Sequence, residues 1–353
     1  GIVTNVARII CSDKNMQRAI TMNTTRSPSI VPGKDVGTES AKKESTRQKF
    51  CNQTDSLLVQ VFDGVYLVSA LSKILSLDSA YVITSVQDSI LSSYVPFCDD
   101  FGPMNLGTVH EFCCLLEEQI SRHRDFSLVF EMPIESRSLT NIVFLLGAYM
   151  ILKMNMTPIQ IESNFQLLKN KIVTFRDVSP GVQNFDLLVQ DCWAGLWRAK
   201  NLSWVDFDDG RFDRHEYYEL DSPMNADLHS VVPGKFIAMR GPKDLHDGAR
   251  WEDAFHCEGC FSHRDFSPAH YAEILQQFDV RAVVRLNTRE YDAEGFRAAG
   301  IAVADLYFDD CSVPPVEVVA EFLALAEGLP GALAVHCKAG LGRTGTLIAL
   351  YMM

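Results

Sequence analysis

The stretch ALAVHCKAGLGRTGT, residues 332–346, places Cys337 directly after His336 and puts Arg343 six positions further on. A thiol, a fork of guanidinium donors and a glycine-rich turn between them are the parts of a covalent phosphate-transfer site. ALAVHC reads as a buried strand and RTGTLIALYMM as the start of a helix, so Lys338, Ala339, Gly340, Leu341 and Gly342 form a strand-to-helix turn. Backbone N–H groups in such a turn, with the positive end of the helix dipole, make a preformed anion site. Gly340 and Gly342 are expected to adopt the conformations that expose those groups, and Gly345 to let the helix pack closely. Cys337 lies at the base of this nest, where the thiolate is the favoured form and the one that attacks. Arg343 can grip two equatorial phosphate oxygens. Thr344 can donate its hydroxyl to the sulfur as it leaves in a second step, and His336 orients the loop by hydrogen bonding. A plain glycine-rich turn with a buried cysteine is the simpler alternative, but the full pattern His-Cys-x5-Arg-Thr-Gly favours phosphate.

A cysteine that takes a phosphoryl group needs an acid for the departing oxygen. Candidates stand upstream in DLYFDDCSVPP, where a carboxylate on a loop past a strand can swing over the site. Asp309 and Asp310 are adjacent and face opposite ways, and local spacing does not choose between them.

These residues need a scaffold, and 353 residues of 39.5 kDa suffice for two domains. With 47% hydrophobic and 22% charged residues, the composition is that of a soluble globular chain. The longest apolar run, IVFLLGAYMIL at 142–152, is too short to span a bilayer, and no signal peptide is legible. Ten irregularly spaced cysteines argue for reduced thiols. Residues 1–50 hold nine Lys/Arg against four Asp/Glu, leaving the remainder near −18 of a total of −13, a sign that argues against nucleic acid as a partner of the body.

Residues 1–48 read as a disordered basic tail. Strands are expected at 63–70, 79–86 and 126–132, with helices at 106–123, 139–153, 157–169 and 185–200. An acidic segment follows, and 201–231 is taken as a linker. Beyond it, strands at 235–240, 280–286, 302–308 and 332–336 alternate with helices at 268–278, 292–299, 315–328 and from 343 onward. That rhythm implies an α/β fold, with a mainly parallel sheet flanked by helices in each of two domains, 49–200 and 232–353. The first residue is Gly1 and the last is Met353 inside an apolar stretch, so the sequence reads as a fragment.

At FGPMNLG, GAY, TPIQ, FRD, HEYYE, VVPGKF, AVVRLN, YFDDCSVP and AVHCKAGLGRTGTLIA, in that order, residues 50–353 resemble the cell-division-cycle-fourteen family of dual-specificity phosphatases. The resemblance implies tandem cysteine-phosphatase folds. It also implies removal of phosphate from Ser-Pro and Thr-Pro sites, with phosphotyrosine a further substrate, in cell-cycle control within nucleus and cytoplasm. The family's acid precedes a Gly-Ser-x-Pro turn, which falls on Asp310, with Cys311 where the glycine stands. Its N-terminal domain is inert, and Pro133 in VFEMPIESRSLTN falls on the nucleophile position. The resemblance makes the acidic segment a groove for a basic residue beyond the phosphoserine, with Asp213 and Glu216 the leading members and Asp206 and Asp209 beside them. In the family, further helices and a Gln-bearing loop follow, so the second domain reads as truncated at its C-terminus.

No metal or other cofactor, nucleic acid or membrane is called for. His256, Cys257, Cys260 and His263 have a spacing that suits zinc, but a single Cys-x2-Cys pair reads better as coincidence. Two rivals share the loop. A phosphoinositide phosphatase of the tensin-homologue type usually carries a second lysine where Leu341 stands, and a phosphoprotein-binding module with little turnover is compatible with Cys311.

Overall fold

The computed structural model describes residues 57–69, 79–82, 90–96, 99–176, 182–183, 185–208, 210–255 and 261–353, so the basic tail lies outside the described residues. The N-terminal unit is built on a four-stranded sheet in the order β1 (Leu58–Phe62), β2 (Val65–Val68), β4 (Ser127–Glu131), β3 (Ala80–Val82). β2, β4 and β3 are parallel, and β1 is an antiparallel edge. Where the sequence predicts one strand over 63–70, Asp63 and Gly64 form the two-residue turn of a β1–β2 hairpin, a connection that Asp-Gly favours.

Among the described residues, four helices belong to this unit: α1 (Leu106–Arg122), α2 (Ser136–Leu152), α3 (Pro158–Asn164) and α4 (Val189–Asn201). Asn105 caps α1 by accepting from Thr108 N, and Thr157 and Gln160 close a capping box at α3. The apolar run at 142–152 forms the body of α2 and is buried on every side, as expected of an all-apolar helix inside a core. No helix among the described residues is long and apolar enough to cross a membrane. α4 begins four residues later than the sequence predicts, because Phe175 and Leu187 pair as an antiparallel bridge and hold the preceding chain extended.

The C-terminal unit has a five-stranded sheet in the order β10 (Ala302–Asp305), β9 (Val280–Arg285), β11 (Ala332–His336), β6 (Phe236–Met239), β5 (Leu228–Val232). The first four strands are parallel and β5 is antiparallel to β6. The sheet therefore takes its edge strand from inside the segment expected as a linker, which also holds helix α5 (Arg214–Asp221). Acidic residues hide β5 and α5 from a reading based on charge, because no residue of α5 is fully buried and its apolar inward side is only Tyr217, Tyr218 and Leu220.

Alternation along the strands splits the core in two. Phe236, Ala238, Leu333 and Val335 face α8 (Val316–Gly328) and α9 (Gly342–Met352), whose Phe322 and Leu347 are fully buried against them. Ile237, Met239, Ala332 and Ala334 face α6 (Pro268–Gln276) and the short α7 (Glu294–Arg297), meeting Tyr271, Leu275 and Phe296. A separate hairpin, β7 (Trp251–Phe255) with β8 (Phe261–Phe266), occupies a stretch expected as loop. Trp204 packs against the cores of both units, and α5 lies on α1 through Tyr218 with Thr108 and Asp221 with Asn105.

Candidate active site

β11 lies between β9 and β6, and all five of its residues are buried, which is why its sequence is an unbroken apolar run until His336. Its C-terminal end delivers Cys337, 4% exposed, to the crevice where the parallel strands stop. The following loop is tied down from behind. Cys337 O accepts from His336 Nδ1 at 2.9 Å, and Lys338 O accepts from Gly241 N at 3.2 Å. In a trans peptide the N–H points opposite to the C=O. Anchoring these two carbonyls against β6 and β11 therefore turns the amides of Lys338 and Ala339 the other way, toward the open side. The backbone N–H groups of Lys338, Ala339, Gly340 and Leu341 meet no acceptor among the described residues, and no side chain caps α9. The first-turn amides of α9 add to this unmatched donor field.

Gly340 has φ +71°, and a Cβ there would stand 2.3 Å from Met239 O, so both conformation and space demand glycine. Gly342, expected to share that role, lacks a positive φ and would have open space for a Cβ. The second obligatory glycine is Gly241, missed in the sequence because it lies almost a hundred residues away; a Cβ there would meet Cys337 O at 2.4 Å.

Arg343, on the first turn of α9, is 8% exposed. Its Nη1 donates to Phe308 O at 3.2 Å and approaches Leu286 O at 3.5 Å, two carbonyls just past the ends of β10 and β9. Nε is buried, makes no hydrogen bond, and stands 3.3 Å from Asp310 Oδ1. Thr344 is fully buried with Oγ1 unpartnered among the described residues. Two buried donors without acceptors beside a thiol and a ring of open amides form a site complementary to a tetrahedral oxyanion.

The structure separates the two aspartates that spacing leaves undecided. Asp310 faces Arg343, whereas the Asp309 carboxylate accepts from Tyr307 Oη at 2.6 Å. Cys311, next in the loop, has φ +56°, the left-handed region that suits a glycine. His336 is completely buried, and burial holds its imidazole down at about 4, so the ring is neutral near pH 7. Its Nε2 is 2.8 Å from Tyr291 Oη. Tyr291 has no sequence signal; Arg285, packed on it, ends the strand VRAVVR within the landmark AVVRLN and is buried, whereas the strand's other arginine, Arg281, is exposed.

The acidic candidates carry local duties. Asp213 caps α5 by accepting from His215 N and Glu216 N at 2.8 and 3.0 Å. Asp206 accepts from Arg211 at 2.7 Å and from Asp208 N. Glu216 is exposed on the first turn of α5, and Asp209 lies outside the described residues. Among the metal candidates, His256, Cys257 and Cys260 also lie outside them, and His263 pairs with Asp265 at 3.3 Å.

The β4–α2 junction of the first unit is the counterpart of the β11–α9 junction. There the residue directly after the strand is Met132 rather than Pro133, and neither is a nucleophile. Its Arg137 is committed to Asp99 through two bonds of 2.9 and 3.1 Å, beside a cavity of about 420 Å³.

A parallel sheet whose central strand delivers cysteine to a phosphate-shaped loop, with arginine one helical turn on, defines the fold of the cysteine-dependent phosphatases. Residues 61–199 match the family described as dual specificity protein phosphatase, N-terminal half, and residues 264–353 match that described as polymorphic toxin system, DSP-PTPase phosphatase. The Homo sapiens dual specificity protein phosphatase CDC14C is 36% identical over 265 residues, 74% of this chain and 56% of its own length. Mus musculus CDC14B is 31% identical over 330 residues, 93% of this chain and 64% of its own. The Caenorhabditis elegans tyrosine-protein phosphatase cdc-14 is 34% identical over 271 residues, 74% of this chain and 36% of its own. The chain belongs to the CDC14 family of dual-specificity phosphatases, and spans about half the length of the curated relatives it matches.

Proposed function

We propose that the chain is a protein phosphatase that works through a phosphocysteine on Cys337. The observation that carries this reading is the set of unmatched donors around the cysteine: Arg343 Nε, Thr344 Oγ1 and the amides of Lys338 to Leu341. A phosphate monoester dianion fills that set, with Arg343 bridging two of its oxygens. The Cys337 sulfur attacks phosphorus as the P–O bond to the substrate breaks, and Asp310 gives its proton to the leaving oxygen. Water then attacks the phosphocysteine, Asp310 takes a proton back, and the S–P bond breaks with Thr344 donating to the departing sulfur. Acid assistance of this kind contributes about 10²- to 10⁴-fold. The reaction as written draws on no metal or cofactor.

The substrates we assign are phosphoproteins carrying phosphoserine or phosphothreonine before proline, with a basic residue beyond it, in cell-cycle regulation within nucleus and cytoplasm. Support for this comes from the family and from the exposed carboxylates of α5. Single-turnover phosphate release from a phospho-Ser-Pro-x-Lys peptide, with Cys337→Ser and Asp310→Ala as comparisons, tests the reading. Release abolished by the first substitution and greatly slowed by the second is the expected result, whereas peptide binding without release by the unmodified chain overturns it.

A further inference from the structure

His336 touches the catalytic loop at one atom, and the identity of that atom fixes its chemistry. Cys337 O only accepts, so Nδ1, 2.9 Å away, carries the hydrogen. A neutral ring then presents a lone pair at Nε2, and Tyr291 Oη at 2.8 Å must be the donor. With the hydroxyl removed, the Nε2 lone pair loses its donor and the ring its second tie, so the ring can swing and loosen the peptide plane that aims Lys338 N–H.

Tyr291 is itself held from two sides. It is 2% exposed, its carbonyl accepts from Arg285 Nη1 at 2.9 Å, and the Arg285 guanidinium lies 4.4 Å from its ring centre. Arg285, equally buried, is gripped by both carboxylate oxygens of Asp305 at 2.5 and 3.0 Å. A continuous path thus runs from Asp305, largely exposed, through a buried arginine, tyrosine and histidine to the carbonyl of Cys337. None of Asp305, Arg285 and Tyr291 lies in the loop motif His-Cys-x5-Arg-Thr-Gly; Arg285 also reaches the Tyr291 side chain, and since arginine only donates, the hydroxyl proton is left for His336.

We propose that Tyr291 is a positioning residue for the phosphate loop, holding in place the His336 ring whose Nδ1–H anchors Cys337 O, and that the Arg285–Asp305 pair keeps Tyr291 in register. The inference rests on the oxyanion-binding role assigned to the loop under Proposed function. Its test uses the full chain carrying Cys337→Ser, with inorganic tungstate as a tetrahedral dianion and calorimetry for affinity. Nitrogen chemical shifts of ¹⁵N-labelled histidine report the tautomer, the His336 signals being identified by their loss in His336→Gln. Tyr291→Phe should move the His336 Nε2 signal to that of an unbonded lone pair and weaken tungstate binding about tenfold, the scale of one hydrogen bond. Asp305→Asn, a change at the surface, should act in the same direction by about two- to threefold, and keeps the test decisive should Tyr291→Phe fail to fold. A simple packing defect would lower the melting temperature and leave tungstate affinity unchanged. Unaltered tungstate affinity in a folded Tyr291→Phe chain, or weakened binding with the Nε2 signal unmoved, overturns the proposal alone. Failure of the parent chain to bind tungstate overturns the phosphatase reading and this proposal together.

Discussion

The carboxylate of Asp310 stands 3.3 Å from Nε of Arg343, a buried donor that makes no hydrogen bond. Asp310, the acid in the proposed mechanism, therefore lies on the arginine to which we assign phosphate. A phosphate bound as proposed would compete for that guanidinium and free Asp310 for the leaving oxygen.

Replacing Asp310 by Asn removes a competing charge as well as an acid. The Asp310 side chain is 67% exposed, so its attraction to Arg343 is of the order of a surface pair, about 0.2–1 kcal/mol. Tungstate affinity should rise by a few-fold while turnover of a phosphoserine peptide falls about 10²- to 10⁴-fold. Aryl phosphates, whose leaving groups need little protonation, should lose far less. Equal losses on both substrates would remove Asp310 from the role of acid.

Cys311 holds a left-handed backbone at φ +56°. A residue with a Cβ costs roughly 1–2 kcal/mol in that region, and glycine gives back about 0.4–1 kcal/mol through the unfolded chain. Cys311→Gly should thus stabilise the chain by about 0.5–1 kcal/mol, while Cys311→Val, β-branched, should destabilise it by more than about 1 kcal/mol. Urea midpoints of the three chains measure this.

Gly340→Ala would place a Cβ 2.3 Å from Met239 O at a residue with φ +71°. The backbone has to move, and with it the amides aimed at the anion. We expect a loss of about 2 kcal/mol or more in stability, together with undetectable tungstate binding. Gly342→Ala, with open space at its Cβ, should keep both properties, and calorimetry on the pair distinguishes them.

Burial lowers the folded-state pKa of His336 from 6.5 to about 4. As pH falls below 6.5 the unfolded chain takes up a proton that the folded chain refuses, so stability is lost between pH 6.5 and about 4 and the loss levels off below. Between pH 7 and pH 4.5 this one residue should account for about 2–3 kcal/mol of the decline. His336→Gln should flatten the stability profile by that amount, whatever its stability at pH 7. Parallel profiles for the two chains would contradict it.

Asp213 serves two assigned purposes that substitution can separate. Asn caps a helix as well as Asp does, whereas Ala forfeits about 1 kcal/mol. Asp213→Asn should therefore keep the melting temperature and reduce the preference for lysine-containing phosphopeptides, and Asp213→Ala should lower both. Unchanged selectivity in Asp213→Asn would leave the residue a helix cap alone.

The sequence by itself determined which side chains the loop brings together. His336, Cys337, Arg343 and Thr344 are contiguous, and a strand, a glycine turn and a helix start are local features, so their relative geometry follows from short-range backbone preferences. The α/β rhythm of the C-terminal unit was legible for the same reason, each parallel strand being an apolar run bounded by helix signals. Elements whose partners are remote were not legible. β5 is a strand only because β6 pairs with it, and α5 turns only a narrow apolar side, Tyr217, Tyr218 and Leu220, inward, so an acidic composition read as linker. That Asp310 faces Arg343, more than thirty residues later, while Tyr307 claims the Asp309 carboxylate, is a relation local spacing left open. Gly241, Tyr291 and the Arg285–Asp305 pair come from three different strand ends that only the packed sheet brings behind one carbonyl. Tertiary structure decided these because parallel strands align the ends of segments separated by whole helices, and no spacing along the chain records which of those ends meet.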